Sequence, residues 1–449
     1  MSSSGLTDVD WQLTAVPSWH NGITNNSVSV LTCICACAIL VAVYCFSTSA
    51  PNSHIPIHPG NPLYDDELRR LWGGPAPKHF QKAWSEWPAM YGVHGEGKIA
   101  LVTGGTGGVG FYVAKLLARI GYEVVLPARS GLAAEANGSK EAILAAVPEA
   151  KVVVPSEPLN LESLASVRRF AAAMRQLSEG RLDLLCLNAG RGGSAADSRE
   201  ETVDGIEAIM QTNVISHFLL TEELLPLLSA APAARIVSQT SRQRLCKTPG
   251  LSTAMRDRKL ADLSATDPSL TSFNAFHQYQ LSKACLCFLT RGLNARLEMA
   301  GMQNVVALVC EPGFAATGVN AAHDLAYSLF CLPKWLVHSW PCLTTKLLHS
   351  AGCHASDGAL PMVMAATAPL AITSDGLVRR NDWYTPASRF AGEPVLGDPR
   401  THRDAGVDPL NKESNWPAES VEVVWEQVTR WTGSKARTVY GSEDITRAD

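Results

Sequence analysis

The chain has 449 residues, a formal net charge of −4 and 46% hydrophobic residues. That length allows one large α/β domain with extensions, and the hydrophobic share is enough for a substantial core. The slight acidity gives no basis for nucleic-acid binding, and the 12 cysteines have neither disulfide-framework nor zinc spacing. Residues 1–27 are polar and carry Asp8 and Asp10 without Lys or Arg. Val28 to Phe46 is uncharged. As a helix it would be about 28 Å long, close to the ~30 Å hydrocarbon core of a bilayer. Cys33, Cys35, Cys37 and Cys45 crowd this run, where thiols behave as small hydrophobes. Residues 28–46 are read as a single membrane anchor in contact with the lipid bilayer. A buried helix, or a signal or transit segment, is the alternative. The acidic flank before the run and Arg69-Arg70 after it lean towards the main domain facing the cytoplasm. The expected location is a single pass of the endoplasmic reticulum membrane. Residues 47–97 read as a linker rich in Pro, Ser and His, followed by a helical lead-in carrying Trp72, Trp84 and Trp87.

Lys98 to Val102 reads as a buried strand, Thr103 to Gly110 as a glycine-rich turn, and Phe111 to Ile120 as a helix that stops at Gly121. A dinucleotide's phosphates require that order of parts. Glycines let the backbone turn tightly and approach the pyrophosphate, and the N–H groups at the helix start face the anion. The spacing T-G-x-x-x-G-x-G resembles the first turn of the short-chain dehydrogenase/reductases. The resemblance implies cofactor contacts at Gly104, Thr106, Gly108, Val109 and Gly110. Glu123 to Leu126 reads as a second strand, with Arg129 at its end and no acidic residue there. An acid at that place binds the ribose 2′-hydroxyl of NAD, whereas a guanidinium suits a 2′-phosphate. The expected cofactor is therefore NADP(H) rather than NAD(H), with a solvated surface arginine as the alternative reading of Arg129.

Lys151 to Val154 is the next strand, and Asn160 follows where the family commonly has an Asp that contacts adenine. Leu182 to Leu187 enters Asn188-Ala189-Gly190. This is similar to the family's N-N-A-G turn at the cofactor, with Leu187 in the first place. Asp204 to Leu228 reads as a long helix containing Asn213, a poor helix-interior residue. The resemblance places Asn213 at the family's catalytic Asn. Arg235 to Ser241 reads as a central strand with Ser241 at the family's catalytic Ser and Thr240 as the second candidate. Tyr279-Gln280-Leu281-Ser282-Lys283 is Y-x-x-x-K, with both side chains on one helix face. The long segment between Ser241 and Tyr279, including Arg256-Asp257-Arg258-Lys259, reads as a surface excursion similar to that of retinol-dehydrogenase-like members. Val305 to Val309 is a further strand. Glu311 to Thr317 then resembles the P-G-x-x-x-T turn, which implies contacts to the nicotinamide from Pro312, Gly313 and Thr317.

Residues 319–352 are apolar, are broken by Pro333 and Pro341, and stand at the place of the family's substrate lid. An apolar lid suits an apolar substrate or membrane contact; core or dimer packing is the alternative. Ser356 to Ala359 opens a helix, Asp382 to Pro386 enters a last strand, Val421 to Thr432 is a closing helix, and residues 434–449 read as a flexible tail.

Together the α/β alternation and the resemblance imply a Rossmann-type doubly wound parallel sheet over residues 98–433, one catalytic domain with an N-terminal transmembrane helix. The implied activity is NADP(H)-dependent interconversion of a lipophilic alcohol (retinoid, steroid or other lipid) and its aldehyde or ketone. Tyr279 would be the general acid in reduction and the base in oxidation, with its pKa drawn down by Lys283 and the positive nicotinamide. Ser241 would hold the substrate oxygen, Tyr279 and Lys283 would also meet the cofactor, and Asn213 would complete a proton path through water. No metal is expected, and a homodimer is left open. A non-catalytic NADP(H)-binding membrane scaffold or sensor is the alternative function. A sugar-nucleotide epimerase also uses Tyr and Lys, but its T-G-x-x-G-x-x-G turn is spaced differently.

Overall fold

The computed structural model describes residues 77–91, 94–192, 198–242, 273, 275–315, 353–370, 383–386, 394–396 and 419–433. The expected anchor at 28–46, the segment before it, most of the linker, Trp72, the excursion at 256–259, Thr317, the lid at 319–352 and the tail lie outside these residues. None of the described helices is long and apolar enough to cross a membrane.

Eight strands form one sheet in the order β3-β2-β1-β4-β5-β6-β7-β8. They are β1 (Ile99–Val102), β2 (Glu123–Val125), β3 (Val152–Val153), β4 (Leu184–Leu187), β5 (Ala234–Gln239), β6 (Val305–Cys310), β7 (Trp383–Pro386) and β8 (Pro394–Leu396). The first seven are parallel, and β8 closes the edge antiparallel to β7. A parallel sheet needs cover on both faces, which is why its strands are unbroken apolar runs such as Leu184-Leu185-Cys186-Leu187.

The side chains alternate between two cores. Leu101, Leu185, Leu187 and Ile236 face a layer that includes Phe170, Phe218, Phe288 and Trp425. Ala100, Val102, Leu184 and Cys186 face a second layer that includes Trp87, Tyr112, Leu117 and Leu360. The first layer is built from α4 (Leu164–Leu177), α6 (Ser216–Ser229), α7 (Ala275–Met299) and α9 (Glu419–Thr432). The second comes from α1 (Phe80–Tyr91), α2 (Gly108–Ile120), α3 (Ala133–Ala146) and α8 (Ala355–Thr367).

Helix α2 ends where its sequence says it must. Gly121 adopts φ 105, its N–H meets Ala118 O at 3.0 Å, and Tyr122 N–H reaches Leu117 O at 3.1 Å. Helix α1 has its start supplied from far away in sequence: the Asp357 carboxylate accepts the N–H groups of Lys78, His79 and Phe80 at 2.8, 3.0 and 2.8 Å. Trp87 of the same helix is buried, and its indole N–H donates to Thr367 Oγ at 2.9 Å.

The long helix expected from Asp204 is shorter and divided. Gly205, at φ 74, closes a turn with Thr202, so helix cannot begin there. Glu207 then caps α5 (Ala208–Met210), accepting from Ile209 N and Met210 N at 2.9 and 2.8 Å. A π-turn over Gln211–Ile215 follows, in which Ser216 N–H reaches back to Gln211 O. Asn213 sits in the middle of that turn.

Candidate active site

The site lies along the C-terminal ends of β1, β4, β5 and β6, the edge at which open α/β sheets bind ligands. The glycine turn leaves β1 with Gly104 at φ 64 and Gly108 at φ 53, backbone that favours glycine. A Cβ on Gly110 would collide with Gly104 O and Asn188 Nδ2, so the turn and the following helix can close up only on glycine. Val109 is buried beside Gly358 of α8. Ser139 of α3 donates to Thr106 O at 2.8 Å and fixes the middle of the turn.

Asn188 binds this turn to β4. Its Nδ2 donates to Thr103 O at 2.9 Å and Gly104 O at 3.3 Å, while its Oδ1 accepts from Gln239 Nε2 at 3.0 Å. Gly190 approaches the catalytic candidates so closely that a Cβ there would lie 3.2 Å from Lys283 Nζ and 3.4 Å from Asn213 Oδ1. Asn213 is fully buried; it accepts from Arg191 N at 2.7 Å and donates to Arg191 O at 2.9 Å and Ser282 Oγ at 2.9 Å. Its side chain therefore clamps the loop that follows Ala189-Gly190.

The Ser241 hydroxyl acts on the Tyr279 phenol in the direction that favours its ionised form. Lys283 Nζ, one helical turn along α7, donates to Gln239 O at 3.0 Å and stands 5.6 Å from the centre of the Tyr279 ring. Thr240, the second serine/threonine candidate, is turned into the protein and donates to Lys283 O at 2.6 Å, a structural tie between β5 and α7. With Thr240 so engaged, Ser241 remains the serine candidate of the pair.

In the chain alone, burial and the neighbouring hydroxyl set the balance at Tyr279. Burial pushes the phenol above its usual 10, and only the Ser241 hydroxyl opposes this. Burial likewise brings the Lys283 ammonium down to about 8, with the Cys310 and Cys287 thiols acting the other way.

Of the expected cofactor residues, Arg129 is exposed at the end of β2 and pairs with no carboxylate among the described residues. The Asn160 oxygen accepts from Glu162 N at 3.0 Å, so it shapes the turn entering α4, a local use beside the adenine contact that the resemblance implies. Ala189 N donates to Thr103 Oγ at 3.0 Å. Gly313, at φ 71, follows Pro312 where the chain leaves β6. Among the described residues no cluster of His, Cys, Asp or Glu could hold a metal.

The residues fit a nicotinamide dinucleotide on two structural grounds: a turn that requires glycine at Gly104, Gly108 and Gly110, and the buried Gln239 Oε1, an acceptor without a hydrogen-bond partner between Asn188 and Lys283. Sequence reasoning missed Gln239, Ser139 and His217. Only His217 left a signal, standing four residues after Asn213 and hence on the same helix face.

A profile of the short chain dehydrogenase family matches residues 98–253. Human retinol dehydrogenase 14 is 33% identical over 261 residues, covering 56% of this chain and 71% of that protein. The polyprenol dehydrogenase of Mus musculus is 30% identical over 288 residues, covering 61% and 72%. A crystal structure from Mycobacterium paratuberculosis covers 76% of this chain and 96% of its own, with a TM-score of 0.50 and 23% identity, a likeness of fold. The chain belongs to the short-chain dehydrogenase/reductases, a family of oxidoreductases that bind nicotinamide cofactors. Within it the likeness is to the retinol dehydrogenases.

Proposed function

We propose that the chain is an NADP(H)-dependent oxidoreductase that interconverts a lipophilic alcohol and its aldehyde or ketone. The observation that carries this reading is the Tyr279–Lys283 pair, with Lys283 Nζ 5.6 Å from the centre of the Tyr279 ring and the buried Asn213 bonded to Ser282, which lies between them in sequence. When bound, the nicotinamide supplies the hydride chemistry. Tyr279 exchanges a proton with the substrate oxygen, and its raised pKa suits it to donate in the direction of carbonyl reduction. Ser241 holds the same oxygen and stabilises charge as it develops there. Lys283 anchors the nicotinamide ribose, and Arg129 takes the 2′-phosphate.

The lipophilic substrate is supported by two relatives whose names specify retinol and polyprenol, both long apolar alcohols. The uncharged run at 28–46 supports membrane attachment, which would put the enzyme beside such a substrate.

Tyr279→Phe removes the proton donor and leaves the cofactor cradle intact. Turnover of NADPH with a panel of retinoid, steroid and aliphatic carbonyls should fall at least about a hundredfold, while NADPH binding, read by fluorescence titration, persists. Undiminished turnover in this variant would refute the mechanism. Tight NADPH binding by the parent chain without turnover of any panel member would favour the non-catalytic sensor.

A further inference from the structure

His217 is fully enclosed on α6 and belongs to no step assigned above. Its Nδ1 stands 3.1 Å from Asn213 O and its Nε2 stands 3.1 Å from Thr103 Oγ. A carbonyl oxygen can only accept, so Nδ1 carries the proton and Nε2 is left as an acceptor. Thr103 Oγ already accepts two N–H groups, from Asn188 and Ala189, each at 3.0 Å. Both of its lone pairs are taken, and its one proton is free to point at Nε2. Cys186 O competes for that proton from 3.3 Å. The polarity of the whole chain is thereby fixed: backbone N–H to Thr103 Oγ, Thr103 O–H to His217 Nε2, His217 Nδ1–H to Asn213 O.

A second proton on the ring would face the filled Thr103 oxygen. Consistent with this, burial holds His217 down to about 4, the neighbouring Lys283 charge pushes the same way, and the bond to Asn213 O opposes both.

We propose that His217 is a positioning residue that couples the cofactor turn to the catalytic helix, setting both the Thr103–Ala189 loop junction and the carbonyl of Asn213. The coupling rests on the oxidoreductase reading of the site; the hydrogen-bond chain itself does not. The two ring nitrogens give it two separable halves. An Asn side chain places its amide nitrogen where Nδ1 is and can serve Asn213, whereas a Gln amide reaches the place of Nε2 and can serve Thr103. A Phe fills the volume and serves neither.

The test compares His217→Asn, His217→Gln and His217→Phe in the full-length protein. It reads thermal melting, NADPH affinity by fluorescence titration, kcat for the best lipophilic substrate, and the ring tautomer of the parent protein by heteronuclear NMR. The Phe variant should melt cooperatively, yet lose about tenfold in both NADPH affinity and kcat, the equivalent of ~1.4 kcal/mol in each. The Asn variant should recover most of the lost kcat, and the Gln variant most of the lost affinity. Equal losses in all three variants would reduce His217 to packing and overturn the proposal, as would an Nε2–H tautomer. If the Phe variant fails to fold, the split between Asn and Gln decides alone. An Nδ1–H tautomer in a protein that turns over no substrate would sink the oxidoreductase reading and leave the hydrogen-bond chain standing.

Discussion

Lys283 shows what the site costs at the scale of one residue. Its ammonium is enclosed, and burial lowers its pKa to about 8 from the usual 10.5. In the window between those values the unfolded chain holds the proton more tightly than the folded one, so this group makes stability rise with pH. Above 10 the raised phenol of Tyr279 acts in the opposite sense, because the folded state then holds its proton longer. Lys283→Met should therefore stabilise the protein at pH 7 by about 1–3 kcal/mol, the relieved burial cost less the lost bond to Gln239 O. The same change should abolish turnover. Urea denaturation at pH 7 and pH 9.5 checks it; a variant less stable than its parent at pH 7 would show that the buried charge is well compensated. Arg129 is the opposite kind of residue, exposed and unpaired among its described neighbours. Arg129→Asp should weaken NADPH binding at least tenfold more than NADH binding, as loss of one charge-assisted contact at about 1.5–3 kcal/mol requires. Equal effects on the two cofactors in parallel titrations would remove Arg129 as the selector.

At the scale of elements, legibility followed sequence distance. The strand–turn–helix of residues 98–121 was readable because each cause is local: an apolar run, the glycines that the turn requires, and Gly121 to stop the helix. The Y-x-x-x-K pair was readable for the same reason. The start of α5 was misplaced because the Thr202–Gly205 turn and the Glu207 cap override a helical pattern that continues upstream. Helix α1 could not have been anchored from sequence, since Asp357 lies 277 positions from Phe80. That distant carboxylate meets three N–H groups that would otherwise be orphaned at the helix start, and its charge complements the helix dipole. Asp357→Ala should cost about 1–2 kcal/mol, in the range of a lost N-cap. It should also raise amide exchange in residues 80–91 more than in β4 or β5. Uniform acceleration across the molecule would mean that α1 is not a separable unit.

Whole-molecule organisation explains why the chemistry collects on one edge. Parallel strands joined by helices on both faces deliver every β-strand's C-terminus to the same side. Thr103, Asn188, Gln239 and Glu311 thus become neighbours although their loops are far apart in sequence. The apolar runs announced the strands, but not the order in which β1 sits between β2 and β4, and so not the contact of His217 with Thr103 across 114 positions. At the sheet's far end Glu311 is fully enclosed, held by Thr385 Oγ at 2.8 Å and Arg242 at 3.4 Å, so the residue after Ser241 is tied to the turn carrying Pro312 and Gly313. Among the described residues, both cores are built from the sheet and its flanking helices. The proposed attachment at 28–46 is tested by extraction. Alkaline carbonate treatment of membranes containing the full-length chain should leave it in the pellet, because 19 uncharged residues transfer to the bilayer far more favourably than they hydrate. Release of the intact chain into the supernatant would show that the run is not an integral anchor, without touching the reading of the active site.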